Sequence, residues 1–115
     1  MTKPTDDFDN SSTAVGRAYA NRIAALYEAL GYRVNPFTHM AGKQIDLLAE
    51  KHVSGAGTLR LAIECKYRTE GMVSNAQVHH FANVVQLLRR SDGIAKGVLV
   101  TPIGFTKDAY LAKAQ

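Results

Sequence analysis

The chain has 115 residues, with 14 Lys and Arg against 10 Asp and Glu, a formal charge of +4 that suits a phosphate-bearing partner without requiring one. An apolar share of 46% excludes a wholly disordered chain, and no apolar run nears the roughly 20 residues of a membrane helix, so no membrane partner is expected. One cysteine, Cys65, excludes an intrachain disulfide and a cysteine-built zinc site, and the cytoplasm is the expected compartment.

Residues 1–12 read as a flexible polar arm, and residues 13–115 as a single domain. Ser11, Ser12 or Thr13 caps a helix over 14–30, in which Val15, Tyr19, Ile23, Leu26 and Leu30 form one apolar stripe expected to face the core. Gly31 ends that helix. Residues 32–37 alternate as a short strand that Pro36 confines to a sheet edge, and His39 falls in the loop beyond it. Gly42 opens a largely buried strand over 43–50, followed by a flexible hairpin loop around Ser54-Gly55-Ala56-Gly57. In 59–67 the alternation is clean: Leu59, Leu61, Ile63, Cys65 and Tyr67 share one face, while Arg60, Ala62, Glu64 and Lys66 share the other.

Ser74, with Gln77 three residues on, makes a capping-box pattern for a second helix. Its core stripe reads as Val78, Phe81, Ala82, Val85 and Leu88, and Arg89 and Arg90 suit its negative C-terminal end. Ser91-Asp92-Gly93 stops it, residues 96–101 form a short buried strand, and Thr106 caps a last helix. The order is thus helix, three strands, helix, strand, helix. A helix between the third and fourth strands permits a parallel crossover, and the first three strands read as a meander. The expected architecture is α/β: a mixed central sheet of about four strands flanked by helices.

The chemistry gathers at Glu64-Cys65-Lys66. Glu64 and Lys66 occupy alternate strand positions and point the same way, roughly 7 Å apart. Asp46 stands inside an apolar strand, between Ile45 and Leu47, where a carboxylate is costly unless it is paired or binds a cation. A hairpin between 43–50 and 59–67 sets Asp46 beside Glu64. Two adjacent carboxylates repel, and a divalent cation such as Mg²⁺ relieves that repulsion. His79 and His80, about 100° apart on a helix, cannot chelate together. Cys65 points to the apolar face and reads as a small core residue, as Tyr67 and Phe81 do.

Gly42-x-Gln44-Ile45-Asp46 followed by Ile63-Glu64-Cys65-Lys66-Tyr67, with 17 residues between Asp46 and Glu64, resembles the core motif of the PD-(D/E)XK nuclease superfamily, and most closely its Mrr-like restriction endonuclease branch. Residues 29–34 are similar to that family's helix-to-strand junction, and Gly97-Val98-Leu99-Val100-Thr101 with Gly104-Phe105-Thr106 to its late strand and last helix. The similarity spans residues 15–115. It implies a restriction-endonuclease-like three-layer core and metal-assisted hydrolysis of DNA phosphodiester bonds. Asp46 and Glu64 would be metal ligands for Mg²⁺ or Mn²⁺, the Cys65 backbone carbonyl a third donor, and Lys66 the residue that positions water. Gln77 and Gln44 would be accessory, and Lys43 and Arg68 would contact DNA. Ala20 stands where many relatives carry a glutamate, which leaves two carboxylates rather than three. The last helix stops at Ala112-Lys113-Ala114-Gln115 with no evident cap, so further domains in a longer chain are expected, and a resolvase-like reading would need a homodimer. Two other readings stay open at this point. One is a nuclease-like module that binds nucleic acid or protein without cutting, and the other is a Holliday-junction resolvase-like nuclease.

Overall fold

The computed structural model describes residues 14–67 and 73–102. They form α1 (Ala14–Ala29), β1 (Arg33–Met40), β2 (Lys43–Val53), β3 (Gly57–Cys65), α2 (Asn75–Asp92) and β4 (Lys96–Val100). The expected order is present as far as β4. The polar arm, the N-terminal caps and the last helix from Thr106 lie outside the described residues.

The sheet runs β1-β2-β3-β4, antiparallel between β1 and β2 and between β2 and β3, and parallel between β3 and β4. Tight turns can return a chain only antiparallel, so the parallel rung needs the α2 crossover. Ala41 and Gly42 connect β1 to β2 with φ of 50° and 77°, closed by the Met40↔Lys43 pair. Positive φ at both positions is the hallmark of the primed turn that matches strand twist. Glycine adopts it freely, whereas alanine is strained there. β1 runs three residues further than the alternation of 32–37 indicates, so His39 is a strand residue opposite Gln44 rather than a loop residue. Pro36, which has no N–H, sits on the edge strand as expected.

The alternation along β3 builds the layers. Leu61, Ile63 and Cys65 join Leu47, Ala49, Tyr19 and Ala20 in a cluster beneath α1. Ala62 joins Leu48, Ile45, Met40, Leu88 and Ile94 on the other face, beneath α2. Only the middle of the expected α1 stripe faces the core: Tyr19 is buried and Ile23 packs beside it, whereas Val15, Leu26 and Leu30 are 55%, 54% and 55% exposed. The buried side is Gly16, Tyr19 and Ala20, with Ile23, Ala24 and Tyr27 packed beside it. Small residues there let the helix axis lie close to the sheet, and that contact outweighs the pull of three large side chains. In α2, Val85 and Leu88 are buried as expected, whereas Ala82 is exposed and Val84 takes its place against the core. Gly97 admits α2 to β4, because a Cβ there would run into Val85 and the Phe81 ring.

Glu50 ties the far end together. Its Oε1 accepts from Arg33 Nη2 at 2.7 Å and its Oε2 from Arg60 Nε at 2.9 Å, while Arg60 also donates to the Asp92 carbonyl. The Arg33 hydrogen bond, joined by Arg60, holds the Glu50 carboxyl below its ordinary range against the opposing effect of burial. No helix among the described residues is long and apolar enough to cross a membrane.

Candidate active site

The end of β3 sets the site. Because the Cys65 side chain is buried in the α1-side cluster, its neighbours Glu64 and Lys66 must turn to the α2 side. There Lys66 Nζ lies 3.2 Å from a Glu64 carboxylate oxygen, with side chains only 19% and 16% exposed. That shielding separates the pair from a solvated surface ion pair. The Lys66 N–H donates to the Val100 carbonyl at 2.8 Å, which carries the parallel ladder one residue past β3 and fixes the lysine's backbone.

Asp46 is 1% exposed. Its Oδ2 accepts the Cys65 N–H at 2.8 Å. The β2–β3 rungs run to Leu47↔Ile63, and beyond them the aspartate side chain takes the amide that a strand carbonyl would otherwise accept. The carboxylate therefore docks on β3 at the residue between Glu64 and Lys66.

A cleft of about 480 Å³ opens beside them. Lys43, Gln44, Glu64 and Lys66 form its sheet wall. The first turns of α2 form the other wall, where Gln77 and His80 stand beside the apolar Ala76, Phe81 and Val84. The capping box is formed: Ser74 N–H donates to Gln77 Oε1 at 2.9 Å, and Gln77 N–H to Ser74 Oγ at 3.3 Å. Gln77 thus serves the cap and the cleft together.

The fold brings Lys43, Gln44, Glu64, Lys66 and Gln77 to one cleft, with Asp46 buried behind its wall. Arg68 lies outside the described residues. Cys65 contributes its backbone while its thiol stays in the core. Arg89 and Arg90 sit in the last turn of α2, roughly 18 Å along the helix from Gln77. Ala20 is 1% exposed in the α1-side core, across the sheet from the cleft. Among the described residues no three His, Cys, Asp or Glu side chains gather, so the acidic set at the cleft is Asp46 and Glu64. His80 and Phe81 line the cleft although the sequence reading gave them no part in it. The signal available was helical spacing, since positions 77, 80, 81 and 84 share one face.

The restriction endonuclease family model Mrr_cat matches residues 13–115. No curated protein matches the chain in sequence. Among solved structures it is similar to a protein of unknown function, AF1548, with 19% identity and a TM-score of 0.72, over 83% of this chain and 51% of that one. It is also similar to a repair endonuclease from Pyrococcus abyssi, with 14% identity and a TM-score of 0.62, over 98% and 45% of the two chains. A third similar structure is EndoMS in complex with double-stranded DNA, with 16% identity and a TM-score of 0.61, over 99% and 44%. The chain spans about half the length of these structures, and at such identities the likeness is one of fold. The fold is that of restriction-endonuclease-like nucleases. With the family match running from residue 13 to residue 115, the chain belongs to the Mrr_cat restriction endonuclease family.

Proposed function

We propose that this domain is a divalent-metal-dependent DNA endonuclease of the cytoplasm. The observation that supports this best is the Asp46 carboxylate held on the Cys65 amide, between Glu64 and Lys66, behind the wall of a polar-sided cleft. The donor set fits a hard cation: carboxylates of Asp46 and Glu64, with the Cys65 carbonyl as a third oxygen, suit Mg²⁺ or Mn²⁺. When bound, the metal supplies charge stabilisation at the phosphate and a more acidic water. Lys66, 3.2 Å from Glu64, orients the attacking water and offsets charge that develops on the phosphate. Lys43 and Arg68 hold neighbouring phosphates, and Gln77 and Gln44 position the backbone from either wall.

DNA as the substrate is supported by the family and by the double-stranded DNA held in the EndoMS structure. The test is cleavage of supercoiled plasmid. Nicked and linear products are expected with Mg²⁺, and none with EDTA. A second reading, binding without cleavage, is favoured by the acidic set at the cleft, which among the described residues is Asp46 and Glu64 alone. It is the correct one if the protein shifts DNA in a gel but cuts under neither Mg²⁺ nor Mn²⁺.

A further inference from the structure

We infer that Phe37, a residue outside the cleft, is the positioning residue that aims the Asp46 carboxylate at β3. The inference rests on the metal-ligand role proposed for Asp46. Phe37 has φ of 51°. It and Ala41 are the two non-glycine residues with left-handed φ among those described, and Ala41 lies in a turn whereas Phe37 lies inside a strand. A bulky residue in that conformation is an outlier that its surroundings must enforce.

The β1–β2 ladder pairs Pro36↔Leu47 and Thr38↔Ile45, but the rung between them, Phe37 opposite Asp46, is absent. The offset is the same on both sides, so no residue is inserted and the break is a kink rather than a bulge. Both strands change face at that rung. In β1, Val34 and Phe37 pack with the α1-side cluster, whereas Met40 belongs to the α2-side cluster. In β2, Leu47 and Ala49 are on the α1 side, whereas Ile45, two residues before Leu47, is on the α2 side. Residues two apart in a regular strand share a face, so the pleat is reset between Ile45 and Leu47.

Asp46 occupies the reset. Regular alternation would send its side chain straight to the α2 layer with Leu48. Instead, Oδ2 accepts the Cys65 N–H, an amide that points along the sheet toward β2. The backbone of Asp46 itself is not left-handed, so β1 carries the distortion. The Phe37 ring, packed against the α1-side cluster, anchors the strained residue.

The test uses Phe37→Gly, which enters the left-handed region freely but loses the ring, and Phe37→Val, whose branched Cβ is excluded from it. Metal-free protein is followed by hydrogen exchange at the Cys65 amide, and Mn²⁺ affinity is measured by calorimetry. Phe37→Val is expected to lose the Cys65 protection and to bind Mn²⁺ more weakly by about ten- to a hundredfold, as for residues that orient a metal ligand. Phe37→Gly is expected to melt earlier yet keep both the protection and the affinity. Protection retained in a folded Phe37→Val protein, or lost in Phe37→Gly, overturns the inference. If Phe37→Val does not fold, Phe37→Ala takes its place, since alanine carries the left-handed penalty without the ring; lost Cys65 protection supports the inference and retained protection overturns it. If the wild type binds no divalent ion while the Cys65 amide follows the expected pattern, the positioning of Asp46 stands and the metal reading falls.

Discussion

Lys66 and Asp46 are expected to fail in different ways. In the proposed reaction Lys66, a cation that cannot ligate Mg²⁺ while protonated, acts on the water and the transition state. Lys66→Ala should keep the fold and most DNA affinity, since it removes one of 14 positive side chains. Cleavage should drop by on the order of a thousandfold, about 4 kcal/mol, in single-turnover assays on plasmid. Asp46→Asn should instead raise the Mg²⁺ concentration needed for half-maximal rate, with partial recovery at high Mg²⁺. Glu50 belongs to stability rather than chemistry. Its carboxyl is held below the ordinary range when folded, so its contribution is present above that range and is lost as pH falls through it. The urea midpoints of wild type and Glu50→Gln should therefore differ at neutral pH and converge in acid. At this scale the sequence disclosed Glu64 and Lys66 because β3 alternates without interruption. It disclosed that Asp46 is out of place among apolar neighbours, but not where the side chain points, since period-two reasoning fails at the one rung where the pleat resets.

Elements were legible wherever a local rule fixed them. Ser74 and Gln77 announced the start of α2, and Gly93, with φ of 68°, its end. In α1, counting large apolar residues finds Tyr19 and Ile23 but not the rest of the core face, because it ignores how near a helix can come to a sheet, and Gly16 and Ala20 decide that. Two of these local contacts can be tested by substitution. Ala41→Asn places a residue tolerant of positive φ in the primed turn between β1 and β2, and should stabilise the protein by about 0.5–1 kcal/mol in urea unfolding. Gly97→Ala should cost about 1–3 kcal/mol, because the added methyl meets Val85 and Phe81 where α2 rests on β4. Since Phe81 also walls the cleft, the same change should slow cleavage more than it weakens Mn²⁺ binding.

For the molecule as a whole, a formal charge of +4 and a cleft flanked by Lys43 and Lys66 predict salt-sensitive DNA binding. If Lys43 and Arg68 each neutralise one phosphate, affinity should fall with a log–log slope of about −1.8, roughly twelvefold between about 50 and 200 mM salt. Affinity unchanged over that range, measured by fluorescence anisotropy, would remove these side chains from the phosphate surface.

The parallel partnership of β3 and β4 sets an order of assembly. β1, β2 and β3 close on short turns, whereas Leu61 must find Lys96 about 35 residues along the chain. Contacts that distant form late, after the local ones. The meander alone brings Asp46 to the Cys65 amide beside Glu64, but the α2 wall with Gln77 and His80, and the Val100 carbonyl that holds Lys66, arrive only with α2 and β4. A folding intermediate should therefore own its acidic pair before it owns its lysine or its cleft. Pulsed hydrogen exchange should protect Ile63 and Cys65 ahead of Lys66. On that route the proposed metal ligands meet before the proposed cutting surface exists.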